Sequence, residues 1–223
     1  MKVYKAWDLP VRLFHWSLVA AILVSWYTIK TSGQPLAFPV EWHARAGYTI
    51  LALLVFRWLW SLVGSRHARL RELCRSPRTV WRYTASWFRR RPDLYVGHNP
   101  LGGWMTLLLL VSLTLQATSG LFMSDGILFS APLARRFEAD AIAWLVTLHH
   151  VNGNLLFVLV GIHLLAILLH RLRGEALVGA MFSGRKRLAR PVRDGDDQPV
   201  SGWRAWASAS IAVLVLTAIL EWL

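Results

Sequence analysis

AIAWLVTLHHVNGNLLFVLVGIHLLAILLH, residues 141–170, carries no formally charged side chain. A bilayer's hydrocarbon, ~30 Å thick, needs about 20 mostly apolar residues to be crossed by a helix, so this stretch is long enough to span it. Yet it holds His149, His150 and His163, and a polar ring in hydrocarbon is tolerated only where it faces a protein interior and has a partner. Fourteen residues at about 100° each fall only about 40° short of four turns, so His149 and His163 share one face, about 21 Å apart along the axis. His150 points elsewhere. One metal cannot bridge about 21 Å with imidazole bonds of about 2 Å, so the two rings serve two sites stacked through a membrane.

The rest of the chain has the same character. Its 223 residues are 55% hydrophobic and 17% charged, and uncharged runs recur at 13–29, 94–124 and 205–220, with 46–65 interrupted only by Arg57. Five stretches can each cross a bilayer, and the soluble classes are excluded. The expected fold is an all-α integral membrane protein: a four-helix transmembrane bundle that binds a cofactor, plus a fifth C-terminal transmembrane helix. Domain boundaries are expected at 1–182 for the bundle, 183–204 for a basic cytoplasmic linker with its Asp-Gly-Asp-Asp run, and 205–223 for the last span.

The formal charge is +13, but most of the basic residues flank the apolar runs, which reads as a positive-inside bias rather than a nucleic-acid surface. The 65–100 connection has nine Arg and 171–204 has eight Arg or Lys, whereas 28–42 has only Lys30, and Arg135 and Arg136 in 125–146 are diluted by Asp125, Glu138 and Asp140. The N-terminus and both basic connections are therefore expected in the cytoplasm, and an odd fifth span leaves Leu223 on the opposite, periplasmic side. The first apolar run lacks a small-residue cleavage site and is read as a retained span. Most of the thirteen Trp, including Trp26, Trp42, Trp60, Trp104, Trp144, Trp203 and Trp206, fall where spans should end and read as interface anchors.

Two stacked sites need two further ligands. His15 lies near the cytoplasmic end of the first span and His43 opens the second, so pairing by depth joins His15 with His163 and His43 with His149. Two imidazoles on opposite faces of a planar ring is the coordination of six-coordinate haem iron; tetrahedral zinc wants more ligands, and no carboxylate or thiolate is at hand. The single cysteine, Cys74, excludes a C-x-x-C-H attachment, so two haem b groups held without covalent bonds are expected.

Smaller signals accompany the pairs. His43 and Gly47 repeat the spacing of His149 and Gly153, giving each ligand a position without a side chain one turn along its face. Arg57 repeats the fourteen-residue step from His43, where a buried guanidinium would need an anion such as a haem propionate; the competing reading is an Arg whose head snorkels to the interface. Arg12 and Arg45 are lesser propionate candidates. His98 could hydrogen-bond a propionate or a quinone head group. His67 and His170, at span ends among arginines, read as interfacial, and Gln116, Thr118 and Ser119 as helix–helix hydrogen-bonding residues. No Asp or Glu occurs in the apolar runs before Glu221, which argues against an ion transporter.

Taken together, Trp7-Asp8-Leu9-Pro10-Val11-Arg12-Leu13-Phe14-His15-Trp16, Glu41-Trp42-His43, Gly97-His98-Asn99-Pro100-Leu101-Gly102, and His149…His163 followed by Arg173-Gly174-Glu175-Ala176-Leu177 and Gly184-Arg185-Lys186 resemble the bacterial cytochrome b561 family. That family also groups with the b-type cytochrome subunits of nickel-iron hydrogenases. The resemblance covers about residues 4–187 and implies a four-helix inner-membrane bundle whose two b haems are held by His on spans one, two and four, matching His15, His43, His149 and His163. It implies electron transfer between membrane quinone and a periplasmic redox partner, such as a c-type cytochrome or a hydrogenase. The fifth span departs from the shortest members. Two other readings stand beside it: a superoxide oxidase that reduces quinone, and a haem-free membrane anchor.

Overall fold

The computed structural model describes residues 2–31, 40–87, 93–124, 129–134, 139–189 and 192–222. The elements in order are β1 (Lys2–Lys5), α1 (Leu9–Lys30), α2 (Val40–Val63), α3 (Leu70–Leu73), α4 (Pro77–Trp87), α5 (Pro100–Gly120), α6 (Ala139–Leu172), α7 (Leu177–Ser183), β2 (Arg185–Leu188) and α8 (Gly202–Trp222). Among the described residues α1, α2, α5, α6 and α8 are the helices long and apolar enough to cross a membrane, so the chain is a multi-pass, all-α membrane protein. Residues 89–91, Asp125, Arg135, Arg136, Glu138 and Arg190, which enter the charge count across the connections, lie outside the described residues.

The helix starts follow from local chemistry. Asp8 caps α1 by accepting from the Val11 amide at 2.8 Å, Asn99 caps α5 by accepting from the Gly102 amide at 2.7 Å, and Ser76 caps α4 through the Thr79 amide at 3.4 Å. Pro100 and Pro77 stand at the first position of their helices, where the missing N–H is no loss. α7 ends at Gly184 with φ of 73°, and a Cβ there would stand 2.7 Å from the Trp7 carbonyl oxygen, so glycine is required on both counts.

The chain divides into two compact units. The first comprises Met1–Leu13, Trp58–Leu110 and Val158–Trp206; the second comprises Phe14–Arg57, Val111–Phe157 and Ala207–Leu223. In the first unit β1 and β2 pair antiparallel, with Lys2 opposite Leu188 and Lys5 opposite Arg185. No strand was expected from sequence: four residues between charged neighbours carry no usable alternation, and the pairing is long-range. Tyr4, Ala6, Val96 and Leu188 form a small core under this ribbon, flanked by Trp7, Leu94 and Val192.

The Asp-Gly-Asp-Asp run of the 183–204 stretch is tied down here. The Asp194 carboxylate accepts from the amides of Val96 at 2.6 Å and Gly97 at 2.9 Å, Asp196 from the Lys5 amide at 2.7 Å, and Asp197 from the His67 amide at 3.1 Å. Three carboxylates thereby satisfy main-chain donors that no regular element pairs. Trp60 also departs from expectation. It is 2% exposed and donates its indole N–H to Asp8 at 2.9 Å, so it packs inside the first unit instead of anchoring at an interface.

Candidate bis-histidine site

The second unit brings His43 and His149 together. Their ring centres are 6.5 Å apart and their planes are inclined at 80°. An imidazole nitrogen binds a first-row metal at about 2 Å and its ring centre lies about 1.2 Å behind it, so two rings on opposite faces of one iron have centres about 6.4 Å apart. The separation fits one iron between the rings.

Both rings are held by their other nitrogen. His43 Nδ1 lies 2.9 Å from the Ser25 carbonyl oxygen and 3.1 Å from the Ser25 hydroxyl, on α1. His149 Nδ1 lies 3.1 Å from Ser119 Oγ, on α5, and that hydroxyl donates its own proton to the Leu115 carbonyl at 2.7 Å. With the hydroxyl proton so directed, Ser119 accepts from His149 Nδ1–H. Each ring is thereby held in the tautomer whose Nε2 carries the lone pair, the form that coordinates a metal.

Small residues make room. A Cβ on Gly120 would stand 3.3 Å from His149 Cε1, while one on Gly47 would meet nothing within 4 Å, leaving open space beside His43. A Cβ on Gly153 would reach the Gln116 side chain at 3.4 Å, so the two glycines singled out by spacing have different surroundings. That side of α6 is closed by a polar clamp: Asn152, buried, donates to Gln116 Oε1 at 2.8 Å and to the Ser112 carbonyl at 2.9 Å, and accepts from Ser112 Oγ at 2.7 Å. Gln116 thus ties helix to helix as expected, Thr118 bonds back to Thr114 of its own helix, and Ser119 has the further task of orienting His149. Ser25, Ser119 and Gly120 were not foreseen as site residues. The only sequence signal was a hydroxyl in an apolar run, which is common in membrane helices that bind nothing.

The remaining candidates fall as follows. His150 is exposed where His149 is half-buried, although the two rings are 6.1 Å apart. His15 packs edge-on against Trp16 at 4.9 Å, and His163 is half-buried on α6; the first belongs to the second unit and the second to the first. Arg57 is 2% exposed. Arg12 donates to the carbonyls of Phe182 and Asp8, pinning the start of α1 to the end of α7. Arg45 is exposed, with its guanidinium 5.4 Å from the Trp42 ring centre. His98 packs against Trp7 in a tilted contact, with centroids 4.6 Å apart and planes inclined at 58°.

His67 and His170 are buried in the first unit rather than interfacial. His67 Nε2 lies 3.0 Å from the Gly195 carbonyl, and Nδ1 lies 3.8 Å from the Asp194 carboxylate. His170 Nδ1 donates to Glu175 at 3.1 Å and Nε2 accepts from Asn99 at 3.3 Å; Lys186 reaches the same Glu175 at 2.8 Å. Burial alone would push the Glu175 carboxyl up, but the His170 hydrogen bond and the Lys186 charge and hydrogen bond outweigh it and pull it from 4.5 to about 2.

Two imidazoles with ring centres 6.5 Å apart, in an all-α, multi-pass membrane protein with a single cysteine, fit a membrane cytochrome of b type, in which side chains alone would hold the haem. The chain belongs to the prokaryotic cytochrome b561 family, whose sequence profile matches residues 6–184. Among curated relatives, a probable Ni/Fe-hydrogenase B-type cytochrome subunit of Rhizobium leguminosarum bv. viciae is 27% identical over 219 residues, covering 82% of this chain and 87% of the relative. The corresponding Azotobacter vinelandii protein is 28% identical, covering 82% and 86%. A probable Ni/Fe-hydrogenase 1 B-type cytochrome subunit of Escherichia coli K12 is 30% identical over 118 residues, 42% of this chain and 48% of the relative.

Proposed function

We propose that this protein is a di-haem electron-transfer cytochrome of the bacterial inner membrane, carrying single electrons between the quinone pool and a periplasmic redox partner. The observation that carries the proposal is the His43–His149 pair: two rings at one iron's separation, each fixed through Nδ1. His15 and His163 hold the second haem in this reading, at the depth set by the fourteen-residue step along α6. Haem supplies the one-electron chemistry; the protein places the irons and tunes them through ligand hydrogen bonds and nearby charge. Arg57 serves the second haem as a propionate partner, consistent with its burial. Residues 1–182 form the di-haem domain, 183–204 lie in the cytoplasm with the N-terminus, and 205–223 form a span whose end is periplasmic.

The names of the relatives favour a hydrogenase as the partner, with a periplasmic c-type cytochrome as the other candidate. The test is reduction of the purified cytochrome in proteoliposomes, followed at the haem absorption bands. Two b haems per chain, reduced by hydrogen only when a hydrogenase is added and reoxidised by a quinone analogue, are the expected result. A chain that binds no haem, or haem that no quinone analogue reoxidises, would overturn the proposal.

A further inference from the structure

Helix α4 has work that the haem reading does not use. At about 100° per residue, Tyr83 and Trp87 fall on one side, Pro77, Val80, Trp81 and Thr84 on a second, and Arg78 and Arg82 about 60–100° round from Trp81. The first side is spoken for within its unit. Tyr83 is buried and accepts from the Trp87 indole at 3.0 Å, and Trp87 packs under the Arg173 guanidinium at 3.8 Å. The second side is open: Trp81 is 75% exposed, and with Pro77, Val80 and Thr84 it forms a groove whose far wall is Trp104.

Trp104 fixes the depth of that groove. It stands in the second turn of α5, a membrane span that begins at Pro100, and its indole N–H donates to the Arg75 carbonyl at 2.8 Å. A groove walled by the first residues of a span lies at the boundary of hydrocarbon and head groups, where Trp is favoured. Beyond Trp81 round the helix, outside the groove itself, Arg78 and Arg82 are exposed and, among the described residues, make no ion pair, while the Glu72 carboxylate is taken by Arg75 and Arg66.

We propose that the α4 groove, with Arg78 and Arg82, is a binding site for an anionic phospholipid, its acyl chain against Trp81 and Trp104 and its phosphate at the two guanidinium groups. The apolar wall alone would accept any bilayer lipid; the pair of unpaired cations selects the anionic one. This assignment is independent of the haem reading.

The test is native mass spectrometry of the full-length protein in detergent, titrated with phosphatidylglycerol or with phosphatidylcholine of the same acyl chains. Two cations beside one anionic head group predict at least about tenfold tighter retention of phosphatidylglycerol. Arg78→Gln/Arg82→Gln should bring it to the phosphatidylcholine level, and Trp81→Ala should weaken both lipids, with the far-ultraviolet helix signal unchanged in each. Equal retention of the two lipids by the unaltered chain, or an undiminished preference in the double Arg variant, would overturn the site. A second measurement does not depend on either: a fluorophore on Trp81→Cys in a Cys74→Ser background should be quenched by brominated lipid in phosphatidylglycerol vesicles, and absence of quenching would also overturn it.

Discussion

Two kinds of hydrogen-bonded histidine occur in this protein, one buried and one half-buried, and they differ in what the ring atoms are left to do. In the first unit His170 has both nitrogens engaged, Nδ1 by Glu175 and Nε2 by Asn99, and His67 bonds the Gly195 carbonyl through Nε2 while Asp194 stands beside Nδ1. Such a ring is a structural hub: both nitrogens of His170 are hydrogen-bonded within the protein, and His67 is held through Nε2 with a carboxylate beside it. In the second unit His43 and His149 are each anchored at Nδ1 by a serine and face each other at 6.5 Å. One nitrogen anchored, with a second imidazole at one iron's separation, is what a bis-imidazole metal site requires. The two sets differ in burial, His67 and His170 being buried and His43 and His149 half-buried, but it is the partners of the ring nitrogens that separate a ligand from a strut.

The sharpest way to break this contrast is to remove a ring from each set. His43→Ala or His149→Ala should each lower extractable haem from two to one per chain, measured as the pyridine haemochrome, while His150→Ala keeps both. If His150→Ala loses haem and His149→Ala does not, the helical face is misassigned.

The converse applies to the hub. Glu175→Gln removes the carboxylate shared by His170 and Lys186, and leaving a buried cation without its partner typically costs about 3 kcal/mol, so thermal stability should fall while haem content is kept. The pH dependence has a definite sign. Because the folded-state value, about 2, is below the ordinary 4.5, the stabilisation is complete above about 4.5 and is lost as pH falls from there towards 2. Thermal melts across that range should converge for the unaltered chain and Glu175→Gln at the acid end. Divergence that persists at pH 2 would show that the carboxylate charge is not what holds the hub.

A smaller effect is expected at Arg57. A buried cation near an iron favours the reduced state, so Arg57→Gln should lower one midpoint by several tens of millivolts and leave the other nearly unmoved, with haem content kept. The affected haem should be the one missing from His163→Ala. Unchanged midpoints would remove Arg57 from the site.

Ser119 should show the smallest effect. A hydrogen bond from Nδ1–H makes the ring a stronger donor to iron and favours the oxidised state, so Ser119→Ala should raise the midpoint of the haem held by His149. One neutral hydrogen bond of about 1 kcal/mol corresponds to about 40 mV for a one-electron couple. No shift beyond the titration error would mean that Ser119 only packs there.

The spans were legible because hydrocarbon admits few charges, so long uncharged runs mark themselves. The caps at Asp8, Ser76 and Asn99 are equally local, since a side chain meets an amide three residues on, but they came only with the structure. The β1–β2 ribbon was not legible, because its partners are separated by most of the length of the chain and neither strand alternates apolar with polar residues in sequence, the second burying Lys186 beside Leu188. His67 and His170 were misplaced as interfacial for a related reason. The carboxylates that bury them, Asp194 and Glu175, lie in a stretch that reads as polar surface until the chain folds back.

By itself, then, the sequence determined a five-span helical membrane protein and the four histidines worth suspecting, because apolar run length and the 3.6-residue period are properties of consecutive residues. Pairing by depth already joined His43 with His149; only the tertiary structure set their ring centres 6.5 Å apart and brought a serine from a third and a fourth helix to turn each ring. Those contacts join residues 18 and 30 positions apart in the chain, and hydrogen-bond geometry between separate helices is set by packing that no local pattern records.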